Sequence, residues 1–378
     1  MKLTHLVMAA AVSMTFGMNA NAADRGKAYV SNQDGGVSVI DLNTLTSSAD
    51  IDVKGDGPRG LAVSDNGKLL IVATRENGSI SIIDTTSNEV IKQIPVGKNP
   101  EFVRILGNFA FVSYEPSAKG GPPPKPTEAK PADTKPAESN PTEVKPADMA
   151  HDANKADAKD NDGEKELARI GIVDLKLGKK VREIIGGPET EGVEFSKDGK
   201  QLIITNEADN TVTVHSMKTG KLLKTIKTQE YGNRPRGVKV SPDGKTYLVT
   251  LEFGNKFMVM DKNFKVLRTV DTGLAPYGIA YDRTGERIFV AANKAKTLEV
   301  YDAKTYEKIK DIATGNRCWH FSFTPDDKEI LLACGKSDAI FVIDAEKLEV
   351  TKQIEDKKMP WGLVTFPKSM GSLDTAVK

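Results

Sequence analysis

ISIIDTTSNEVIKQIPVG, residues 80–97, holds the reading that decides the fold. Its first five residues are an apolar alternation ending in Asp84. A short polar turn follows, and then a second extended run, EVIKQIPVG. Apolar residues at every second position suit a half-buried strand and do not suit a helix. The same five-residue pattern recurs as VSVID (37–41), IGIVD (170–174), FMVMD (257–261), LEVYD (298–302) and IFVID (340–344). A seventh copy, VTVHS (212–216), ends in Ser216. The copies are about 41 to 45 residues apart, except for one double-length gap before Asp174.

A second marker lies between the copies. SDNGK, SKDGK, SPDGK, DRTGE and TPDDK, starting at 64, 196, 241, 282 and 324, read as tight turns. Gly or Asp supplies the backbone freedom that such turns need. Each turn leads into an apolar run such as KLLIVAT or KQLIITN. One unit therefore holds four short strands: a strand led by Pro-x-Gly, an apolar strand, the strand ending in Asp, and an outer strand. Units of this kind with a period near 42 indicate the blades of a β-propeller. Seven four-stranded antiparallel blades are expected. The first unit starts at its second strand, GKAYVSN, and the chain ends with an unpaired leading strand, MPWGLVTFP (359–367). Pairing the two closes the ring and removes the exposed edges.

The chain is similar to the YVTN-repeat β-propeller family, whose name-giving tetrapeptide stands here as YVSN (29–32). The resemblance spans nearly all of the chain after the N-terminal segment, apart from 115–168. Within it, RCWHFSFTPDDKEILLACGKSDAIFVID (317–344) followed by MPWGLVTFP resembles the periplasmic propellers associated with pyrroloquinoline-quinone (PQQ)-dependent alcohol catabolism. The architecture is also similar to the haem d1 domain of cytochrome cd1 nitrite reductases, an analogy of fold only.

The N-terminus reads as an export signal over residues 1–22. Lys2 precedes the apolar run LVMAAAVSMTFGM, and Ala20-Asn21-Ala22 offers small-x-small cleavage. The run is shorter than the ~20 apolar residues of a membrane span. A periplasmic protein without a membrane span is expected, its propeller occupying 23–378. Removing Lys2 leaves 52 basic and 52 acidic side chains. That balance argues against nucleic acid and against electrostatic membrane binding.

The double-length gap is a low-complexity insert, 115–168, within blade 3. About half of the 19 prolines lie there, aromatic residues are absent, and carboxylates outnumber lysines by four. Such a segment buries too little apolar surface to offset its ordering entropy. A disordered arm is expected, either neutral or acting as a tether or lid.

Aligning the leading strands places one residue per blade toward the mouth of the central channel: Arg59, Glu101, Glu191, Arg236, Tyr277, Trp319 and Trp361. Asn32, Arg75, Glu76, Glu207, Glu252 and Asn293 end the second strands near the same rim. Two readings stand. The ring holds a planar ligand bearing acidic groups, with arginine forks and aromatic faces. Alternatively, its charges neutralise one another and its aromatics pack blade against blade.

Cys318, Trp319 and His320 replace Pro-x-Gly in blade 7, in a chain with two cysteines, two tryptophans and four histidines. Cys318 and Cys334 lie nearly opposite one another in a hairpin, so a cross-strand disulfide or two buried thiols is expected. His320 is either a ligand or donor at the mouth, or a filler of the space a glycine leaves. His215 packs between blades, while His5 and His151 fall in the signal and the arm. No Cys-x-x-Cys-His supports covalent haem, and no dense Cys/His cluster supports a metal site. That leaves non-covalent haem or quinone as the cofactors to consider. The repeated aspartates (41, 84, 174, 261, 302, 344) read as turn caps.

The expected function is non-enzymatic: a binding or scaffold protein, monomeric, whose partner is a periplasmic protein or a planar acidic small molecule. The resemblance implies a role accessory to PQQ-dependent alcohol oxidation or periplasmic electron transfer. One alternative is a haem or quinone carrier using Trp319, His320, Trp361, Arg59 and Arg236. Another is a metal-assisted hydrolase using Glu101, Glu191, Glu207 and Glu252.

Overall fold

In the computed structural model, residues 24–116 and 166–374 are described. The expected signal segment and the interior of the insert lie outside these residues. Every strand belongs to one of seven four-stranded antiparallel sheets, and the only helices among the described residues are two single 3-10 turns. The chain is a seven-bladed β-propeller.

Blade 1 is built from both ends of the chain. Its inner strand, Pro360–Phe366, pairs with Lys27–Asn32, and Val37–Asp41 and Thr46–Ile51 complete it. This is the closure that the orphan strand predicts. Each other blade is one continuous four-strand unit, with inner strands Pro58–Val63, Val103–Leu106, Thr190–Phe195, Pro235–Val240, Pro276–Tyr281 and Cys318–Phe323 in blades 2 to 7.

Local chemistry accounts for the turns. All six repeated aspartates accept backbone N–H bonds from the turn that follows them. Asp302 takes Lys304 and Thr305 at 2.8 and 2.7 Å, and Asp344 takes Glu346 and Lys347 at 3.0 and 2.8 Å. These bonds hold the half-buried carboxyls of Asp84, Asp261, Asp302 and Asp344 below their ordinary range. The other turn set adopts the left-handed backbone at its fourth residue, Gly244 (φ 75°) in blade 5 and Asp327 (φ 58°) in blade 7.

The insert is narrower than the 115–168 expected. The Glu115 N–H donates to the Lys98 carbonyl at 2.8 Å, and buried Ala168 exchanges bonds with Gly186 and Gly187. Its ends are therefore strand-like extensions of blade 3, because backbone groups buried against the blade need partners. It leaves between Phe109–Tyr114 and Arg169–Asp174, the second and third strands.

Candidate functional site

The Pro-x-Gly triplet owes its role to a bulge. In blade 2, Pro58 pairs with Thr74, but pairing resumes only at Leu61 with Val72. One extra residue thus sits in the inner strand. The same shift recurs in blades 4 to 7, and blade 1 skips Trp361. A bulge unpairs a residue and re-aims its side chain, and here it turns the middle residue inward. Blade 3 differs: its inner strand begins at Val103, so Glu101 lies in the loop before it.

Glycine follows because the inner strands approach closely. A Cβ on Gly192 would lie 2.3 Å from the Arg236 carbonyl oxygen, and one on Gly237 would lie 2.6 Å from that of Tyr277. A threonine of the second strand completes the contact. Thr250 accepts the Gly237 N–H at 2.9 Å and donates to the Tyr277 carbonyl at 2.7 Å. Thr205 does the same for Gly192 and Arg236, at 2.7 and 2.6 Å.

The structure brings the expected ring together and occupies it with its own charges. Arg59 pairs with Glu101 at 2.5 Å. Arg236 reaches Glu191 at 3.3 Å and Glu252 at 2.6 Å, and it also binds Glu207. Arg234, which sequence alignment of the triplets passes over, pairs with Glu207 at 2.8 Å and Glu252 at 3.1 Å. Arg75 lies 4.0 Å from Glu101. Four arginines thus face four glutamates. The Tyr277 hydroxyl donates to Glu191, and Arg236 stacks 4.8 Å over the Tyr277 ring. Arg59 lies 5.6 Å over Trp361.

Burial and the neighbouring Glu191 push the Glu101 carboxyl up. For Glu191 the burial cost is outweighed by Arg236, a hydrogen bond to Glu101 and Arg59, which hold its carboxyl down. Of the other rim residues, Asn32 and Asn293 are buried at strand ends, while Glu76 is exposed and loosely paired with Arg75 at 3.9 Å.

The six-membered ring of Trp319 lies against Gly335 of its own blade, where a Cβ would meet it at 2.1 Å. It joins Tyr277 and Trp361 in one apolar cluster. Cys318 and Cys334 are register partners joined by a disulfide in this structure.

His320 is not at the mouth. It lies below the ring, 1% exposed, with ring contacts to Trp361 at 4.4 Å, Tyr277 at 5.3 Å and Phe102 at 5.9 Å. Its Nδ1 is 3.0 Å from the Ser372 hydroxyl. Burial pushes its pKa down to about 3, so the imidazole is neutral. Among the described residues Nε2 has no hydrogen-bond partner. A neutral imidazole with a free nitrogen suits an axial ligand in its chemistry. The three aromatic rings around it, however, fill the space that a planar macrocycle would need, so the residues as arranged do not fit haem.

Ser372 belongs to a segment whose role the sequence did not disclose. After the ring-closing strand, residues 367–374 enter the channel along the inner strand of blade 7. The Phe323 N–H donates to the Met370 carbonyl at 2.8 Å and the Ser372 N–H to the Phe321 carbonyl at 2.9 Å. Met370 and Leu373 are buried there.

The end of this segment meets a second charged layer. Arg104 donates to Glu194 and to the Leu373 carbonyl, both at 2.6 Å. Lys239 lies 3.0 Å from both Glu194 and the Asp374 carbonyl. Lys239 is fully buried, and burial pushes its pKa down to about 8 against the pull of Glu194. A sequence signal for this layer exists. Two residues beyond each triplet, blades 3, 4 and 5 carry Arg104, Glu194 and Lys239, where the other blades carry Ala62, Ala280, Ser322 and Val364.

The site is thus a propeller channel closed twice, by an ion-paired ring above and by the chain's own C-terminal segment below. Residues 5–110 and 281–377 match the model of the YNCE-like beta-propeller family, and the chain belongs to that family. Among curated proteins none matches the sequence.

Solved structures share the fold at low identity. A functionally unknown protein from Desulfotomaculum acetoxidans is 14% identical, with 90% of this chain and 98% of that chain covered and a TM-score of 0.68. Hydrazine synthase from Kuenenia stuttgartiensis is 18% identical over 88% and 99%, with a TM-score of 0.64. The dihydro-haem d1 dehydrogenase NirN in complex with DHE is 17% identical over 91% and 76%, with a TM-score of 0.61.

Proposed function

We propose that the protein is a non-enzymatic, exported binding or scaffold propeller that acts as an accessory to PQQ-dependent alcohol oxidation. One observation carries the non-enzymatic part. The charged groups that a catalytic or cofactor site in the channel would use are already engaged: Arg59 and Arg236 by Glu101, Glu191, Glu207 and Glu252. A buried ion-pair network of this kind orders a core, and removing one member leaves an uncompensated charge. The carboxylates of the hydrolase reading are the same four, each held by a guanidinium. Among the described residues no group of three or more His, Cys, Asp or Glu is placed to hold a metal ion. The link to quinone chemistry is supported by the last-blade resemblance, RCWHFSF through MPWGLVTFP.

The test is reconstitution. Purified mature protein is added to an apo quinone-dependent alcohol dehydrogenase with PQQ, and dye-linked turnover is followed. The proposal expects a colourless protein with no alcohol oxidation of its own that raises the yield or rate of active dehydrogenase. An unchanged dehydrogenase, with no co-elution of the two proteins, overturns it. The carrier reading has one observation in its favour, the Nε2 of neutral His320, which has no partner among the described residues. A visible chromophore in the purified protein, or a spectral shift on adding haem or PQQ that His320→Gln abolishes, would replace the scaffold reading with it.

A further inference from the structure

A separate cavity lies on the face opposite the mouth and shares no residue with the ring. The turns that join inner to second strands in blades 2 to 6, together with the C-terminal segment, enclose about 630 Å³ there. That is the size of a small-molecule site.

Two observations point to its ligand. The first is a charge imbalance. Arg104 and Lys368 line the cavity with side chains 4% and 6% exposed. Lys239, which holds Glu194 and the Asp374 carbonyl of the same wall, is 1% exposed. Two carboxylates are shielded with these three cations, Glu194 at 2% and Asp374 at 13%. Asp65, the other partner of Lys368, is 49% exposed, where water screens it. One positive charge is thus in excess in a layer shut off from bulk water, where an unmatched charge is costly.

The second observation is an open guanidinium. Arg104 carries five N–H donors. Among the described residues it donates twice, to Glu194 and to the Leu373 carbonyl, both at 2.6 Å. The rest of the fork is unspent on a side chain that lines the cavity, and a carboxylate is the anion that matches it. Around it the wall is apolar. The Phe195 ring lies 5.8 Å from the guanidinium carbon, and Ile105, Val240 and Met370 continue the lining. These four core residues keep 5–8% exposure, so the cavity reaches them.

We infer that this cavity binds a small monocarboxylate with an apolar body. The carboxylate on Arg104 supplies the one negative charge that the layer lacks, and the body covers the apolar wall. Inorganic phosphate has no apolar surface and leaves that wall bare. The inference does not rest on the accessory role proposed above.

The test uses octanoate as the probe, titrated calorimetrically into the mature protein. Saturable one-to-one binding is expected. Acetate, with the charge and without the body, should bind about tenfold or more weakly. Arg104→Lys keeps the charge and loses the fork, and should bind octanoate about tenfold more weakly. Because Arg104 also holds the fold, a second variant is needed. Lys197 is exposed, lines the cavity and has no ion pair among the described residues. Lys197→Glu should weaken octanoate about threefold at low salt with an unchanged melting temperature. No saturable binding to wild type, or wild-type affinity in Lys197→Glu, overturns the inference. Tighter binding of inorganic phosphate than of octanoate also overturns it, by making the cavity a phosphate site.

Discussion

Blades 5 and 7 meet the same packing demand with different means. In blade 5, Gly237 lets the inner strand close against Tyr277 of the next blade, and Thr250 bridges the two backbones. In blade 7 both residues are replaced, by His320 and Ala333. The missing hydroxyl comes from far away in the fold. Ser372 accepts the Phe321 N–H at 3.0 Å and meets His320 Nδ1. Blade 5 is thus completed from within and blade 7 by another segment, while blades 2 and 6 keep the glycine with Ala73 and Ala291 at the threonine position. The departure at CWH is therefore the other half of the C-terminal plug.

The largest expected effect breaks blade 7 alone. Ending the chain after Pro367 exposes the cluster that covers Met370 and Leu373, each worth ~1.5–3 kcal/mol when buried. It also strips carbonyl partners from Arg104 and Lys239. A loss of about 5 kcal/mol in urea unfolding is expected. A truncated chain as stable as the full one would make the plug an ornament.

Gly192→Ala tests the regular half. The new Cβ has no room beside the Arg236 carbonyl, and backbone must shift, at a cost of about 3 kcal/mol in the same unfolding measurement. His320→Gly should not mirror this as a gain, because it opens a cavity between Trp361 and Tyr277.

Cys318 and Cys334, 16 residues apart, belong to the irregular blade as well. Closing a loop of that length is worth about 3 kcal/mol in the chain-entropy account. The double alanine variant should lose about that much. Thiol titration in denaturant without reductant should find no free thiol, and two after reduction.

The smallest effect at neutral pH, where none of it is lost, is also the sharpest in kind. His320 titrates at 6.5 in its ordinary state and at about 3 when folded. Between those values the unfolded chain holds a proton that the folded chain does not, so stability falls as pH drops through that window. The slope for one such group is at most about 1.4 kcal/mol per pH unit. Melting temperatures from pH 7 to 3 should fall less steeply for His320→Gln than for wild type. Equal slopes would mean that the imidazole gains its proton without cost, and that it is not sealed in.

Of the ring, the seven middle residues were legible because a repeat aligns them, and alignment survives without coordinates. Arg234 was not: it lies one residue before its triplet, at a position that takes the left-handed backbone in all seven blades (φ 63° here) whatever the side chain, so the repeat aligns the conformation there and not a residue type. His320 was legible as an exception but not in its place. On a strand its side chain alternates away from Trp319, and the partner it meets there, Ser372, is 52 residues on. The lower charged layer left a readable trace at Arg104, Glu194 and Lys239, which gains meaning only once three blades are seen to face one channel.

The sequence by itself determined the blades, their number and the closure of the ring. Those features rest on short-range physics: alternation over five residues, an aspartate accepting the next turn's N–H groups, and a glycine where strands touch. Tertiary structure alone decided which charges meet across the channel and that the chain's end fills it. Contacts such as Arg104 with Leu373 or Tyr277 with Glu191 join residues 269 and 86 apart. No local pattern encodes them, because either partner would look the same in sequence if the other were absent.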